Sequence, residues 1–75
     1  MLEEIKSIIC DYIDINPDEI KPESELRKDI GMSSLDLINL AVEVEDCFGV
    51  TVSNEDISAI ATVSELITFI ELKKQ

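Results

Sequence analysis

The chain has 75 residues and a net charge of −11, from 17 acidic and 6 basic side chains. Apolar residues make up 45% of it and aromatic residues only 4%, so the sequence predicts one small domain, residues 1–75, with an aliphatic core. The negative charge argues against nucleic acid and anionic membranes as partners, because like charges repel, and it favours basic protein surfaces. No apolar run approaches the roughly 18 residues of a membrane span, so we expect no membrane insertion.

The N-terminus carries Glu3 and Glu4 rather than the basic residues of a secretory signal, which predicts a cytoplasmic protein. The sequence contains two cysteines, Cys10 and Cys47, and no histidine. In the cytoplasm we expect both cysteines to remain thiols. Both lie on apolar stripes of predicted helices, which indicates small buried side chains.

Apolar residues recur at spacings of three and four from Leu2 to Ile13, which predicts an amphipathic helix over residues 2–13. Pro17 prevents its continuation. Residues 14–33 then form a long connection, and long connections in small domains tend to be functional. We expect four apolar side chains to pin this connection to the helices: Ile15, Ile20, Leu26 and Ile30.

The connection also carries a partial calcium-loop pattern. Asp14, Asn16, Asp18 and Glu25 fit most of the EF-hand spacing. Glu19, however, occupies the position at which that loop needs glycine for its sharp turn. We therefore expect no specific metal site, and a calcium sensor is the less favoured alternative.

The longest amphipathic run covers residues 34–48 and follows Gly31, which allows a sharp turn. Ser33 is predicted to cap this helix, and Asp36 completes a capping box. Ser34 is then the first helical residue, and its hydroxyl lies at the positive end of the helix dipole, where a phosphate would be favourably placed. The simpler alternative is that Ser34 is only a second serine beside a cap.

This central helix has two apolar faces when successive residues are placed 100° apart. The broad face is predicted to enter the core and contains Leu37, Leu40, Ala41, Val44, Cys47 and Phe48. The narrow face contains Leu35, Ile38 and Val42 and is bordered by carboxylates, which suits a protein partner. A helix packed on two sides within a small bundle would show the same pattern.

Two further capping-box pairs follow the central helix: Ser53 with Asp56, and Thr62 with Glu65. They predict a short helix over residues 54–60 and a last helix over residues 63–73. The predicted fold class is therefore all-α, a small bundle of three main helices plus one short helix, with a long first loop.

The sequence offers no residues typical of catalysis. Without histidine there is no ready general base for Ser34, and the surroundings are not the G-x-S-x-G turn of a serine hydrolase. Zinc ligands at usable spacing and glycine-rich phosphate loops are also missing from the sequence. We therefore expect that the chain is not an enzyme.

The stretch from Leu26 to Asp36 resembles the signature of the acyl carrier proteins, whose core runs D-L-G-x-D-S-L-D. The resemblance covers essentially the whole chain, including an E-x-E-D-x-F-G close of the central helix and a T-V-S-E-L start of the last. It implies that Ser34 receives 4′-phosphopantetheine from coenzyme A, and that the thiol of this arm carries acyl intermediates as thioesters, in fatty-acid biosynthesis. In this family the fatty-acyl chain lies between helices, which an aliphatic core suits.

The resemblance also implies the partners, a phosphopantetheinyl transferase and acyl-processing enzymes with basic docking patches, and a monomeric carrier. Two residues depart from the family pattern: Ser33 replaces the usual aspartate, and Asn39 replaces a frequent glutamate. The residues that match docking positions of the family lie on the central helix: Leu35, Asp36, Ile38, Val42, Glu45 and Asp46.

Two alternatives to a fatty-acid carrier remain. The first is a carrier for aminoacyl, D-alanyl or polyketide intermediates, which shares the same arm and differs in its cargo. The second is an unmodified acidic adaptor that binds a basic partner through the central helix. Uptake of the arm separates the adaptor from both carriers.

Overall fold

The computed structural model describes residues 1–74, which form four α-helices and one 3₁₀ turn. This confirms the predicted all-α bundle of three main helices and one short helix with a long first loop. None of the helices in this part of the chain has the length and hydropathy of a membrane-spanning segment. In chain order the elements are α1 (Leu2–Tyr12), the 3₁₀ turn (Pro17–Glu19), α2 (Ser34–Phe48), α3 (Asn54–Ala59) and α4 (Val63–Lys73).

The buried core is aliphatic, as the composition predicts. Among the described residues no aromatic side chain is fully buried, and Phe48 and Phe69 only pack partly against the core. Branched aliphatic side chains fill the space between the helices instead. The core contains Ile5, Ile8, Ile9, Ile20, Leu26, Ile30, Met32, Leu37, Leu40, Ala41, Val44, Val52, Ile57, Ile60, Val63, Leu66 and Ile70.

Helices α1 and α3 each end one residue earlier than predicted, for the same reason. Helix α1 was predicted to include Ile13 and α3 to include residue 60, but each of these isoleucines is an extended C-cap. Their backbone angles are φ −122°, ψ 132° for Ile13 and φ −85°, ψ 120° for Ile60. Both side chains pack on the core from the connecting segment rather than from the helix.

The long first loop is attached to the start of α4 by backbone hydrogen bonds. The N–H of Leu26 donates to the carbonyl of Ala61 at 2.8 Å, and the N–H of Val63 donates to the carbonyl of Ser24 at 3.0 Å. Three of the four predicted anchors of this loop are buried, namely residues 20, 26 and 30. Ile15 is half-buried and packs against the edge of the core.

The prediction that Cys47 is buried is wrong. Cys47 is exposed, Cys10 is half-buried, and both are free thiols. Cys47 lines an open groove between α1 and α2, together with Ser7 and Glu43. Phe48 at the same end of α2 packs partly against the core, whereas Cys47 does not, so the helical periodicity predicts the face on which Cys47 lies but not its exposure.

Candidate functional site

The segment before α2 is held in place by the turn that precedes it. Gly31 has φ +86°, a left-handed conformation that side-chain-bearing residues rarely adopt. Met32 follows with only 3% of its surface exposed, and its N–H donates to the carbonyl of Leu26 at 2.9 Å. The buried methionine anchors the chain directly below the start of the helix. Ser33 and Ser34 are therefore presented at the surface on a fixed backbone.

Ser33 is the N-cap of α2, as predicted. Its Oγ accepts from the N–H of Asp36 at 3.2 Å, and a carboxylate oxygen of Asp36 accepts from the N–H of Ser33 at 2.9 Å. This reciprocal pair is the predicted capping box. The aspartate thus has a structural role in addition to any contact with a partner.

Ser34 is the first residue of α2 and is exposed. Its hydroxyl makes no hydrogen bond within residues 1–74. The N–H groups of Asp36 and Leu37 donate to the side chain and the carbonyl of Ser33, whereas those of Ser34 and Leu35 donate to no described residue. The hydroxyl is therefore accessible to a modifying enzyme, and the N–H groups of Ser34 and Leu35 lie beside it at the positive end of the helix dipole.

These features fit a phosphodiester on the Ser34 hydroxyl. The N–H groups of Ser34 and Leu35 would hold its anionic oxygens, in the way that helix N-termini bind phosphate. No described side chain covers the hydroxyl, so the attached chain would extend into solvent.

The apolar side chains of the predicted partner face are exposed, and we call this set the exposed strip. The exposed fractions are 66% for Leu35, 41% for Ile38 and 49% for Val42. The other face of α2 enters the core through four buried residues, Leu37, Leu40, Ala41 and Val44. The alternative of a helix packed on both sides is therefore wrong for this chain.

The three carboxylates predicted beside the strip differ in their surroundings. Asp46 is exposed, Asp36 is half-buried in the capping box, and Glu45 is half-buried. The Oε2 atom of Glu45 accepts from the N–H of Val52 at 2.8 Å, which holds the segment after α2 against the helix. This role could not be predicted from sequence, because no local pattern joins the two residues. Docking roles for all three remain predictions.

A second contact on α2 also has no sequence signal. The hydroxyl of Tyr12 donates to a carboxylate oxygen of Glu43 at 3.0 Å and joins the end of α1 to α2. Desolvation, then this hydrogen bond and the nearby carboxylates, raise the pKa of Tyr12 above its ordinary value of 10.0. Tyr12 falls within the apolar spacing of α1 but is not buried, since 37% of its surface is exposed.

The partial calcium-loop pattern does not converge on a site. The side chain of Asn16 accepts from the N–H of Asp18 at 2.9 Å and caps the 3₁₀ turn, so this oxygen is used locally. Within residues 1–74 there is no group of three or more histidine, cysteine, aspartate or glutamate side chains that could hold a metal ion.

Comparison with known proteins extends these observations to the whole chain. The sequence model of the family described as "Phosphopantetheine attachment site" matches residues 3–70. The acyl carrier protein of Solidesulfovibrio magneticus is 40% identical over 72 residues, which cover 96% of this chain and 92% of that protein. The acyl carrier protein of Wolinella succinogenes is 32% identical over 74 residues, covering 99% and 97% of the two chains.

A solved structure agrees with the sequence matches. The structure of the acyl carrier protein from Enterococcus faecalis superimposes with a TM-score of 0.80 at 28% identity, over 96% of this chain and 91% of that one. The cofactor of the matched domain is 4′-phosphopantetheine. The chain belongs to the acyl carrier protein family.

Proposed function

We propose that Ser34 is the attachment site of 4′-phosphopantetheine in this carrier. The observation that supports this most directly is the exposed, unbonded hydroxyl at the first position of α2, beside two N–H groups with no partner among the described residues. A separate transferase would supply the arm from coenzyme A. The hydroxyl attacks the β-phosphorus of coenzyme A, a new phosphodiester forms, and adenosine 3′,5′-bisphosphate leaves.

The chain itself acts as a carrier and not as a catalyst. The attached arm supplies a terminal thiol, on which acyl groups are held as thioesters. The protein contributes a rigid attachment point, because Met32 is buried below it and Ser33 is capped. The sequence contains no histidine that could deprotonate Ser34, so the base for its modification belongs to the transferase.

Docking to the transferase and to acyl-processing enzymes would use the exposed strip together with nearby acidic groups. Leu35 is adjacent to the attachment site and is the most exposed member of the strip. Asp46 adds an exposed carboxylate at the far end of α2, and the net charge of −11 attracts basic patches at long range. A small apolar contact with charges at its rim gives fast and reversible encounters, as a shuttle requires.

Fatty acyl chains are the cargo that we propose, in fatty-acid biosynthesis. The core supports this because aliphatic side chains fill it and no fully buried aromatic ring stiffens the described part. Aminoacyl, D-alanyl and polyketide intermediates are the alternative cargoes. Mass analysis of the protein purified from its native host would identify the acyl group, and a saturated chain of variable length is the expected result.

We also propose that residues 1–75 form a single domain that works as a cytoplasmic monomer. The apolar surface supports this, because the exposed strip is a narrow row of three side chains on one helix. A stable dimer usually buries a far larger surface. Sedimentation equilibrium of the modified protein would give the mass of one chain if this is right.

The attachment site is tested by incubating the chain with coenzyme A and a broad-range phosphopantetheinyl transferase, followed by mass measurement. The wild-type chain should gain one arm and Ser34→Ala none. Ser64→Ala is a matched control, since Ser64 is also an exposed serine in the first turn of a capped helix, α4, and this variant should gain one arm. No gain by the wild type, under conditions that modify another carrier, would favour the unmodified adaptor. A gain in mass by Ser34→Ala would show that the arm is attached to a different residue.

A further inference from the structure

A small pocket lies between the turn at residues 24–30 and the segment that follows α3. It has a volume of about 140 Å³. Ile60, which is 9% exposed, contributes apolar surface to the lining, and Arg27 and Lys28 contribute exposed positively charged side chains. Arg27 and Lys28 form one of two adjacent basic pairs among the 6 basic residues, and the other pair, Lys73 and Lys74, lies at the end of the chain. The lining residues of this cationic pocket are Glu25, Arg27, Lys28, Ser58, Ile60 and Ala61.

The two cations are not neutralised by ion pairs. Within residues 1–74 the ion pairs involve the Met1 amino group, just before α1, and Lys6 within α1. Asp29 follows the two cations in sequence, but its Oδ2 atom accepts from the N–H of Glu25 at 2.8 Å. The pocket therefore has two positive side chains and one negative one, Glu25, and an external anion can take charge-assisted hydrogen bonds from the cations.

The walls of the pocket are held by backbone hydrogen bonds. The N–H of Leu26 donates to the carbonyl of Ala61 at 2.8 Å, which joins the two sides. The N–H groups of Asp29 and Ile30 both donate to the carbonyl of Glu25 at 3.0 Å, which closes the turn that carries the cations. The backbone of the pocket is therefore preformed, and a ligand has to order only the exposed side chains of the two cations.

The segment that lines the pocket is also hydrogen-bonded to the segment that carries the attachment site. The carbonyl of Leu26 accepts from the N–H of Met32 at 2.9 Å, and Met32 is two residues before Ser34. Arg27 is the neighbour of Leu26. A flexible arm attached at Ser34 thus begins beside the segment that carries the cationic pocket.

We propose that the cationic pocket binds the free carboxylate of a short acyl group that is carried as a thioester on the arm. This inference rests on the proposed attachment at Ser34 and adds a second class of cargo, short acyl groups with a free carboxylate, to the fatty acyl chains proposed above. The small volume limits the length of the chain, the apolar surface of Ile60 contacts its methylene groups, and the two cations select a carboxylate at its end. The phosphodiester of the arm is another anion nearby, and the experiment separates the two.

The test compares three forms made with the transferase: the bare arm, a glutaryl arm, and a 5-methylhexanoyl arm. The last has the shape of glutaryl but ends in two methyl groups instead of two oxygens. Changes in the amide chemical shifts of Leu26, Ser58 and Ala61 show whether the acyl group occupies the pocket. Protection of the thioester is measured as the rate of its cleavage by hydroxylamine, divided by the rate for the same acyl group on coenzyme A. Mass measurement first shows that each arm is attached, so a failure of attachment is recognised separately and overturns both proposals.

The glutaryl form should shift these amides and be cleaved about two- to fivefold more slowly than the methyl-ended form, the scale of an exposed ion pair. In 1 M salt, where the Debye length falls to about 3 Å, the difference should disappear. Equal shifts from the bare arm would assign the pocket to the phosphodiester and overturn the proposal. Equal effects from the methyl-ended form would show apolar binding only and would overturn it as well.

Variants locate the effect on the two cations. Arg27→Gln combined with Lys28→Gln should remove the glutaryl protection and leave the methyl-ended form unchanged. Lys21→Gln is the control, because Lys21 is an exposed lysine in the same loop but does not line the pocket. All three side chains are exposed, so the fold should tolerate the changes. Protection that persists in the double variant would contradict the proposed role of these cations.

Discussion

The starts of α2 and α4 have the same capping motif, but their first N–H groups differ in their hydrogen bonding. Both begin with a reciprocal capping box, Ser33 with Asp36 and Thr62 with Glu65. At α4 the first two N–H groups donate to the first loop, Val63 to Ser24 at 3.0 Å and Ser64 to Pro22 at 2.8 Å.

At α2 the corresponding N–H groups donate to no described residue. Of two helix starts with the same cap, one is thus bonded to the first loop and the other keeps accessible N–H groups, where we propose that the phosphodiester is attached. The comparison teaches that a capping box marks where a helix begins, whereas the surrounding chain decides whether its terminal N–H groups remain available.

The largest effect on stability is expected where the first loop is hydrogen-bonded to the start of α4. Leu26 is fully buried, and Leu26→Ala should lower the free energy of unfolding by about 2–5 kcal/mol, through lost burial and a cavity. For a domain of this size that is a large share of the total. Urea unfolding measures the loss. Arg27→Ala, the exposed neighbour, should change stability by less than about 0.5 kcal/mol, and an equal loss in both variants would contradict an attachment that depends on Leu26.

The accessible end of α2 should matter for partners rather than for stability. Leu35→Ala is expected to weaken docking to the transferase about tenfold, because an apolar contact of about 1.4 kcal/mol is removed, and to leave urea unfolding unchanged. The transferase KM is the measurement. Leu72→Ala in α4 is a closely matched control, since Leu72 is 64% exposed and Leu35 66%. If both variants raise KM equally, the strip on α2 has no special role.

The caps themselves should contribute less. Ser33→Ala removes the acceptor for the N–H of Asp36 and should cost about 1 kcal/mol, whereas Ser33→Asp keeps an acceptor and should cost little. Because aspartate restores the family pattern beside Ser34, we expect Ser33→Asp to be modified at least as fast as the wild type. Urea unfolding and the rate of mass gain test the two statements separately. A stable but unmodified Ser33→Asp would show that the transferase prefers serine here.

The smallest effect concerns the third capping box, at the start of α3. Hydrogen bonds from the backbone and side chain of Ser53 hold the pKa of Asp56 below its ordinary value of 3.8. The unfolded chain therefore binds the proton more readily in acid, so this contribution is present above the unfolded pKa and is lost as the pH falls through the folded one. The difference in urea midpoint between wild type and Asp56→Asn should shrink below about pH 4. A difference that is constant from pH 6 to pH 2 would contradict this assignment.

Most of the fold could be predicted because its signals are local. Three pairs of capping residues and the spacing of apolar side chains predicted the starts of α2, α3 and α4 at the observed residues. The same spacing separated the core face of α2 from Leu35, Ile38 and Val42, and placed Ser34 first in the helix. Each of these depends on residues within one or two helical turns of each other, so the sequence alone contains the information.

The remaining features depended on contacts between distant residues. Periodicity assigned Cys47 to the apolar face, but only the packing of α1 shows that this end of the face is open. The bond from Val52 to Glu45, and the first loop lying across the start of α4, follow from where the segments meet in space. The sequence by itself determined where each helix begins and that the three side chains of the exposed strip point outward. Only the tertiary structure decided which helix start stays open, because closing one requires carbonyl groups from another part of the chain.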